Sequence, residues 1–131
     1  MKIVTIALAT LALTATSAAA DMSLSFKNWG NIPLCTTGNP NKVGNPEFVL
    51  KGVPAGTNKL VFKLTDLDVR SYNHGGGTVK IKKGGSMKIP AGVFKYKSPC
   101  PPSGKHTYEW TVTAKDGGKT LAKAKAAKKY P

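Results

Sequence analysis

The sequence predicts a mostly β fold in one domain, with a single short helix near the C-terminus. Three observations point there. Gly and Pro are plentiful, at 14 and 9 of 131 residues. Residues that favour helices are scarce until the C-terminal segment. Several short runs alternate polar and apolar side chains, the period of a strand with one face buried.

The first segment stands apart from this pattern. Lys2 precedes an apolar run from Ile3 to Leu13, and Ala18, Ala19 and Ala20 supply an A-x-A cleavage site. Residues 1–20 read as a secretory signal peptide, cut after Ala20. The apolar run falls well short of the ~20 residues that a membrane-spanning helix needs, and no later run approaches that length. Residues 21–131 then form a single domain of 131 − 20 = 111 residues. The whole chain has 20 basic and 6 acidic residues, a net charge of +14; losing Lys2 leaves 19 − 6 = +13.

Along the domain, Ser23 to Phe26 alternates and reads as a short strand, and Asn28 to Pro46, rich in Gly, Asn, Pro and Thr, reads as a loop. Glu47 to Leu50 is a strand that Lys51 to Gly56 ends with a turn. Lys59 to Thr65 is the clearest strand, with Leu60, Phe62 and Leu64 on one face, and it delivers Asp66-Leu67-Asp68 at its end. Gly75 to Gly77 reads as a flexible turn, Thr78 to Lys82 alternates again, and Met87 to Ile89 is a further short strand. Ser98 to Gly104 holds Pro99, Pro101 and Pro102, which fix φ and lack a donor, so it is a rigid loop. From Lys105 the period is two: His106, Tyr108, Trp110, Val112 and Ala114 share a face. This sets His106 beside Tyr108, roughly 6.8 Å apart along the strand. Asp116-Gly117-Gly118 turns the chain, and the Ala- and Lys-rich stretch from Thr120 to Lys129 reads as the helix.

Cys35 and Cys100 are the only cysteines, and an exported chain meets an oxidising compartment, so they are expected to form a disulfide. Closing a loop of 100 − 35 = 65 residues would stabilise the fold by about 4 kcal/mol in the chain-entropy model. Their spacing matches neither a C-x-x-C motif nor a zinc set, so no metal and no cofactor is expected. No G-x-S-x-G, H-E-x-x-H, Walker or EF-hand pattern occurs either, which argues against an enzyme. The remaining chemistry lies in His74 and His106, the only histidines, and in Asp66 and Asp68, two of the few acids in a basic chain. Each histidine is either a loop residue without a role or a ligand-binding group. The aspartates either cap a turn or orient a histidine.

Five segments, in order, resemble the phosphatidylethanolamine-binding proteins, whose bacterial branch is called Raf kinase inhibitor-like. Cys35-Thr36-Thr37-Gly38-Asn39 resembles the early T-C-D-G-x-N segment, Gly52 to Thr57 the G-x-P-A-G-T turn, and Asp66-Leu67-Asp68 the D-P-D-x-P signature. Ser98 to Tyr108 resembles G-P-C-P-P-x-G-x-H-R-Y, the most specific of the five. Leu121 to Ala124, with Tyr130, resembles the terminal L-A-x-A helix and Tyr. The chain departs from the pattern at Leu67, Arg70, Gly75 and Thr107, and the span between the motifs is cut to Thr78 through Lys97.

The resemblance implies a sandwich of two antiparallel sheets with a short C-terminal helix. It also implies a non-catalytic surface pocket for a small anion or the phosphate of a phospholipid head group. Carried over by position, that pocket is formed by Asp66, His74, Pro102, His106 and Tyr108, and Arg70 beside it offers a bidentate donor for an anion. The expected setting is periplasmic or secreted. A second reading rests on charge alone: Lys80, Lys82, Lys83 and Lys88, with Lys123, Lys125, Lys128 and Lys129, would contact an anionic membrane, cell-wall polymer or nucleic acid. Specific nucleic-acid recognition is not expected, because no helix-turn-helix, zinc or stacking signature occurs. A protease- or kinase-inhibitor role is suggested only by eukaryotic branches of the family, and no residue here identifies a target.

Overall fold

Apolar side chains at every second position force an extended backbone, and this rule places most of the chain. The computed structural model describes residues 21–131; the signal peptide read at residues 1–20 lies outside the described residues. The strands are β1 Ser23–Phe26, β2 Lys42–Gly44, β3 Phe48–Val53, β4 Lys59–Asp66, β5 Gly76–Lys80, β6 Gly85–Ile89, β7 Lys95–Lys97, β8 His106–Asp116 and β9 Lys119–Tyr130. They form a four-stranded sheet ordered β5-β4-β8-β9, a three-stranded sheet ordered β1-β3-β6 and a β2-β7 ribbon. Every pairing is antiparallel.

The two larger sheets meet through their apolar faces. Leu24, Phe26, Phe48 and Leu50 from one face Leu60, Phe62, Trp110 and Val112 from the other, all buried. Phe48 of β3 stacks on Phe62 of β4 at 4.4 Å between centroids, and Trp110 of β8 stands edge-on to Phe48 at 5.1 Å. Offset and edge-on contacts like these are favoured by the ring quadrupoles. The ribbon closes one side through Tyr96, which is edge-on to Trp110 at 4.8 Å and accepts a 2.8 Å hydrogen bond from Trp29 Nε1. Buried Asn45 holds the strap before β7: it accepts from Phe94 N and donates to the Pro46 and Pro90 carbonyls.

The mostly β fold, the long alternating β4 and β8 and the turn at Gly117-Gly118 are as the sequence predicts. The C-terminal helix is not: Lys119–Tyr130 is a strand, paired with β8 from Asp116↔Lys119 to His106↔Tyr130. The segment carries both signals. Its Ala and Lys favour a helix, but Ala122, Ala124 and Ala126 also alternate with Lys123 and Lys125. A helix of this length is marginal in water, whereas the β8 edge offers a full ladder of backbone partners. The leading β-bulge, between Ala114 and Lys115, lets the hairpin absorb one extra residue at Leu121.

Smaller differences have local causes. The predicted loop before Pro46 contains β2, and the predicted turn at Lys51 to Val53 continues β3. The glycines read as a flexible turn enter β5 at Gly76 because the backbones come too close there for side chains. A Cβ on Gly76 would overlap the Phe62 carbonyl oxygen, and one on Gly77 would overlap the Phe94 ring. Gly76→Ala is therefore expected to lower stability by about 3 kcal/mol or more. Gly118→Ala, where nothing lies within 4 Å of the added methyl, should change it by less than about 0.5 kcal/mol. Urea unfolding followed by tryptophan fluorescence compares the two, and equal midpoints would refute the close-approach account.

Candidate functional site

The site forms where β4 ends and β8 begins. Asp66 is the last residue of β4, its side chain faces inward like Leu64 and Phe62, and it lies opposite Tyr108 in the ladder. A buried carboxylate needs partners for both oxygens. Its Oδ1 accepts the Asp68 and Val69 N–H groups at 2.9 and 3.1 Å, which folds the chain into a turn. Its Oδ2 lies 2.7 Å from His106 Nδ1. The two roles left open by the sequence, capping a turn and orienting a histidine, thus belong to one side chain. Burial alone would raise the Asp66 carboxyl, but the His106 bond and the two N–H donors outweigh it and hold the pKa below its ordinary value. The group is an anion at neutral pH, so Nδ1 of His106 carries the hydrogen and Nε2 is left for a ligand.

Asp68 does a different job. Its Oδ2 accepts from Thr107 N at 2.8 Å, and Leu67 N donates to Thr107 O at 2.8 Å, which continues the β4–β8 pairing by one residue. Asp66, Asp68 and His106 bring potential ligand atoms within 4.8 Å of one another. Each of these carboxylates already accepts from backbone N–H groups.

His74 approaches from the segment before β5. Its Nδ1 lies 2.7 Å from the Lys97 carbonyl, while its own carbonyl accepts from Lys97 N at 2.9 Å. A carbonyl only accepts, so Nδ1 bears the hydrogen and Nε2 is an acceptor. Burial lowers the His74 pKa, against the hydrogen bond to Lys97, and the ring is neutral. Tyr108 stands edge-on to it at 5.5 Å and beside His106 at 6.2 Å, as expected for strand positions two apart. Burial and the neighbouring Asp66 charge push the Tyr108 hydroxyl up, so it stays protonated and available as a donor.

Together Asp66, His74, His106, Tyr108 and Pro102 line a pocket of about 90 Å³, big enough for a group of a few heavy atoms. The other wall comes from Gly38, Pro40, Cys100 and Pro101. It is set by the Cys35–Cys100 disulfide, with Cα atoms 5.7 Å apart, and by Asn41 and Ser98, whose backbones exchange two bonds of 2.9 and 3.0 Å, one through the Ser98 hydroxyl. Arg70 is not brought into the pocket; it is exposed in the turn after β4. Val69 and Tyr72 of that turn line the pocket instead, and Lys97 lies over the Tyr72 ring at 5.7 Å. Sequence patterning does not single out these two, because their position depends on the turn that Asp66 caps. Gly38 was within reach, since the cysteine pairing draws residues 36–40 against the proline loop. A broader groove of about 430 Å³ beside Trp29 and Tyr96 holds no comparable convergence of titratable groups.

No family model and no curated protein sequence matches the chain. Among solved structures it is similar to a chain from Chlamydia trachomatis described as a phosphatidylethanolamine-binding protein homolog, at 16% identity and a TM-score of 0.48, over 85% of this chain and 97% of that one.

Neutral, buried His74 and ionised, buried Asp66 both bind protons less readily when folded than when unfolded. Each therefore contributes stability that is present above its ordinary pKa and lost as pH falls below it, starting at 6.5 for His74 and 3.8 for Asp66. Urea midpoints measured from pH 8 to 3 should fall in two stages. His74→Asn, whose amide can donate to Lys97 in place of Nδ1, should remove the upper stage; an unchanged slope there would contradict the neutral buried ring.

Proposed function

We propose that the chain is a non-catalytic binding protein, exported to the periplasm or beyond, whose pocket takes a small oxyanion such as phosphate or a phosphorylated head group. The observation that carries this is the convergence of His106, held by Asp66, with Tyr108 and His74 in one small pocket. The phenol is a donor to phosphate oxygens, and the bond of His106 Nδ1 to Asp66 leaves its Nε2 for the ligand. The wall of Pro101, Pro102 and the Cys35–Cys100 bridge is rigid before any ligand arrives, which lowers the entropic cost of binding. No free Ser, Thr or Cys lines this pocket among the described residues, so a binding role suits it better than covalent chemistry. The disulfide is compatible with an oxidising compartment. No helix among the described residues is long and apolar enough to cross a membrane.

The proton positions add a preference. Nε2 of His74 accepts, and the Asp66 carboxylate repels extra negative charge. A phosphate that keeps one proton can donate to that acceptor, whereas sulfate has no proton to offer. Calorimetric titration should show phosphoethanolamine, a phosphate monoester, binding more tightly as pH falls from 8 toward its second pKa of about 6, and inorganic phosphate, which keeps a proton throughout this range, binding more tightly than sulfate. Tyr108→Phe should weaken uptake about 3- to 10-fold, and His106→Ala by more. No heat from the wild type, or the same uptake by His106→Ala, would remove the pocket as a binding site.

A further inference from the structure

The four-stranded sheet has one face in the core and the other in solvent, and the solvent face is almost purely cationic. Register fixes its layout. Lys80, Lys59 and Lys115 lie side by side on β5, β4 and β8, in a row about 10 Å wide. Lys63 and Lys125 flank Thr111 four residues further along, and Lys123 and Lys129 extend the field on β9. Threonines fill the spaces, with Thr111 and Thr113 on β8 and Thr65 on β4. Among the described residues Glu109 is the only carboxylate on this face, 4.0 Å from the exposed Lys125, a long surface pair that offsets little of the field.

Two bland accounts leave this arrangement unexplained. Lysines on an edge strand guard against strand-to-strand aggregation, which serves for β9 but not for Lys59, Lys63 and Lys115 on the central strands β4 and β8. Solubility is served by interspersed signs, whereas like charges directly opposite one another, as at Lys59↔Lys115 and Lys59↔Lys80, work against the fold. The outward side of the three-stranded sheet has no such cluster: Lys51 stands opposite Ser23, and Lys88 opposite Val49.

We infer that this face is a docking surface for an anionic lipid bilayer, separate from the pocket. The charges form a broad field several strands wide. A plane of phosphates meets its rows together, while a rod or a single polymer strand meets one row at a time. Among the described residues no aromatic side chain stands on the face for a base to stack on, and its apolar side chains are few and aliphatic, Val61 on β4 and Ala127 on β9 with Leu121 at the bulge, so contact is mainly electrostatic adsorption at the head groups. The charge-based reading of the sequence thus narrows. Lys80, Lys123, Lys125 and Lys129 belong to the face; Lys82, Lys83 and Lys88 do not, nor does Lys128, which pairs with inward Tyr108 and lies over the Phe26 ring; Lys59, Lys63 and Lys115 join it.

Co-sedimentation with vesicles of phosphatidylcholine and phosphatidylglycerol at 7:3 tests this, with pure phosphatidylcholine and 0.5 M salt as comparisons. The wild type should bind the anionic vesicles at low salt and be released at high salt. At about fivefold per lysine, Lys59→Gln/Lys63→Gln/Lys125→Gln should weaken binding about 100-fold. Lys51→Gln/Lys83→Gln/Lys88→Gln, with the same loss of charge elsewhere, should weaken it less than 10-fold. Unfolding midpoints at or above wild type would show that the face variant is folded. Equal losses in the two variants would reduce the effect to net charge, and no vesicle binding by the wild type would remove it. Stronger competition from duplex DNA than from vesicles at equal phosphate concentration would overturn the assignment to a bilayer.

Discussion

The Asp66 carboxylate is buried at the end of a central strand and cannot be left without partners there. An unpaired buried charge costs several kcal/mol, against a net stability of about 5–15 kcal/mol for a domain of this size. Its partners are therefore fixed, and they lie on two different segments: the turn that follows it and the first residue of β8. One side chain thus sets the path from β4 to β5, the orientation of His106 and the sign of the charge beneath the pocket. The turn in turn places Val69 and Tyr72 at the pocket, and it leaves His74 in range of Lys97.

The opposite wall depends on covalent and backbone restraint. Residues 36–41 have almost no regular structure, so their order must come from the disulfide at one end, the Thr36–Asn39 turn and the exchange with Ser98. Pro99, Pro101 and Pro102 add fixed φ angles to the facing loop. The result is a pocket between a hydrogen-bonded wall and a cross-linked wall, neither of which needs to be ordered by a ligand.

How legible this was depended on the range of the interaction that decides each element. β4 and β8 are written in strict alternation, so their inward faces, and with them Asp66, His106 and Tyr108, could be read directly. Cys35 and Cys100 needed only a count. β9 was misread because Ala and Lys propensities differ from strand formers by only a few tenths of a kcal/mol per residue. The ladder with β8 is a tertiary interaction that overrides such differences, although the alternation of Ala122, Ala124 and Ala126 with lysines was visible. The strand at Gly76 was hidden for the opposite reason: glycine has no side chain to alternate, and its identity there records the nearness of Phe62 and Phe94. Arg70 and Tyr72 could not be sorted into outside and inside, since that depends on a turn closed by a side chain several residues away.

Charge acts at two ranges in this molecule. Over the distance of a Debye length, about 8–10 Å, the lysines of the open sheet face dominate, and they attract any anion with little selectivity. Inside the pocket the nearest fixed charge is the opposite one, Asp66, beside a histidine kept neutral by burial. On the proposed function, an anion drawn in by the field would therefore meet a site that favours few negative charges and a retained proton. A uniformly cationic pocket would bind the most highly charged anion best. Placing one of the chain's scarce carboxylates under the site makes selection at contact differ from attraction at a distance.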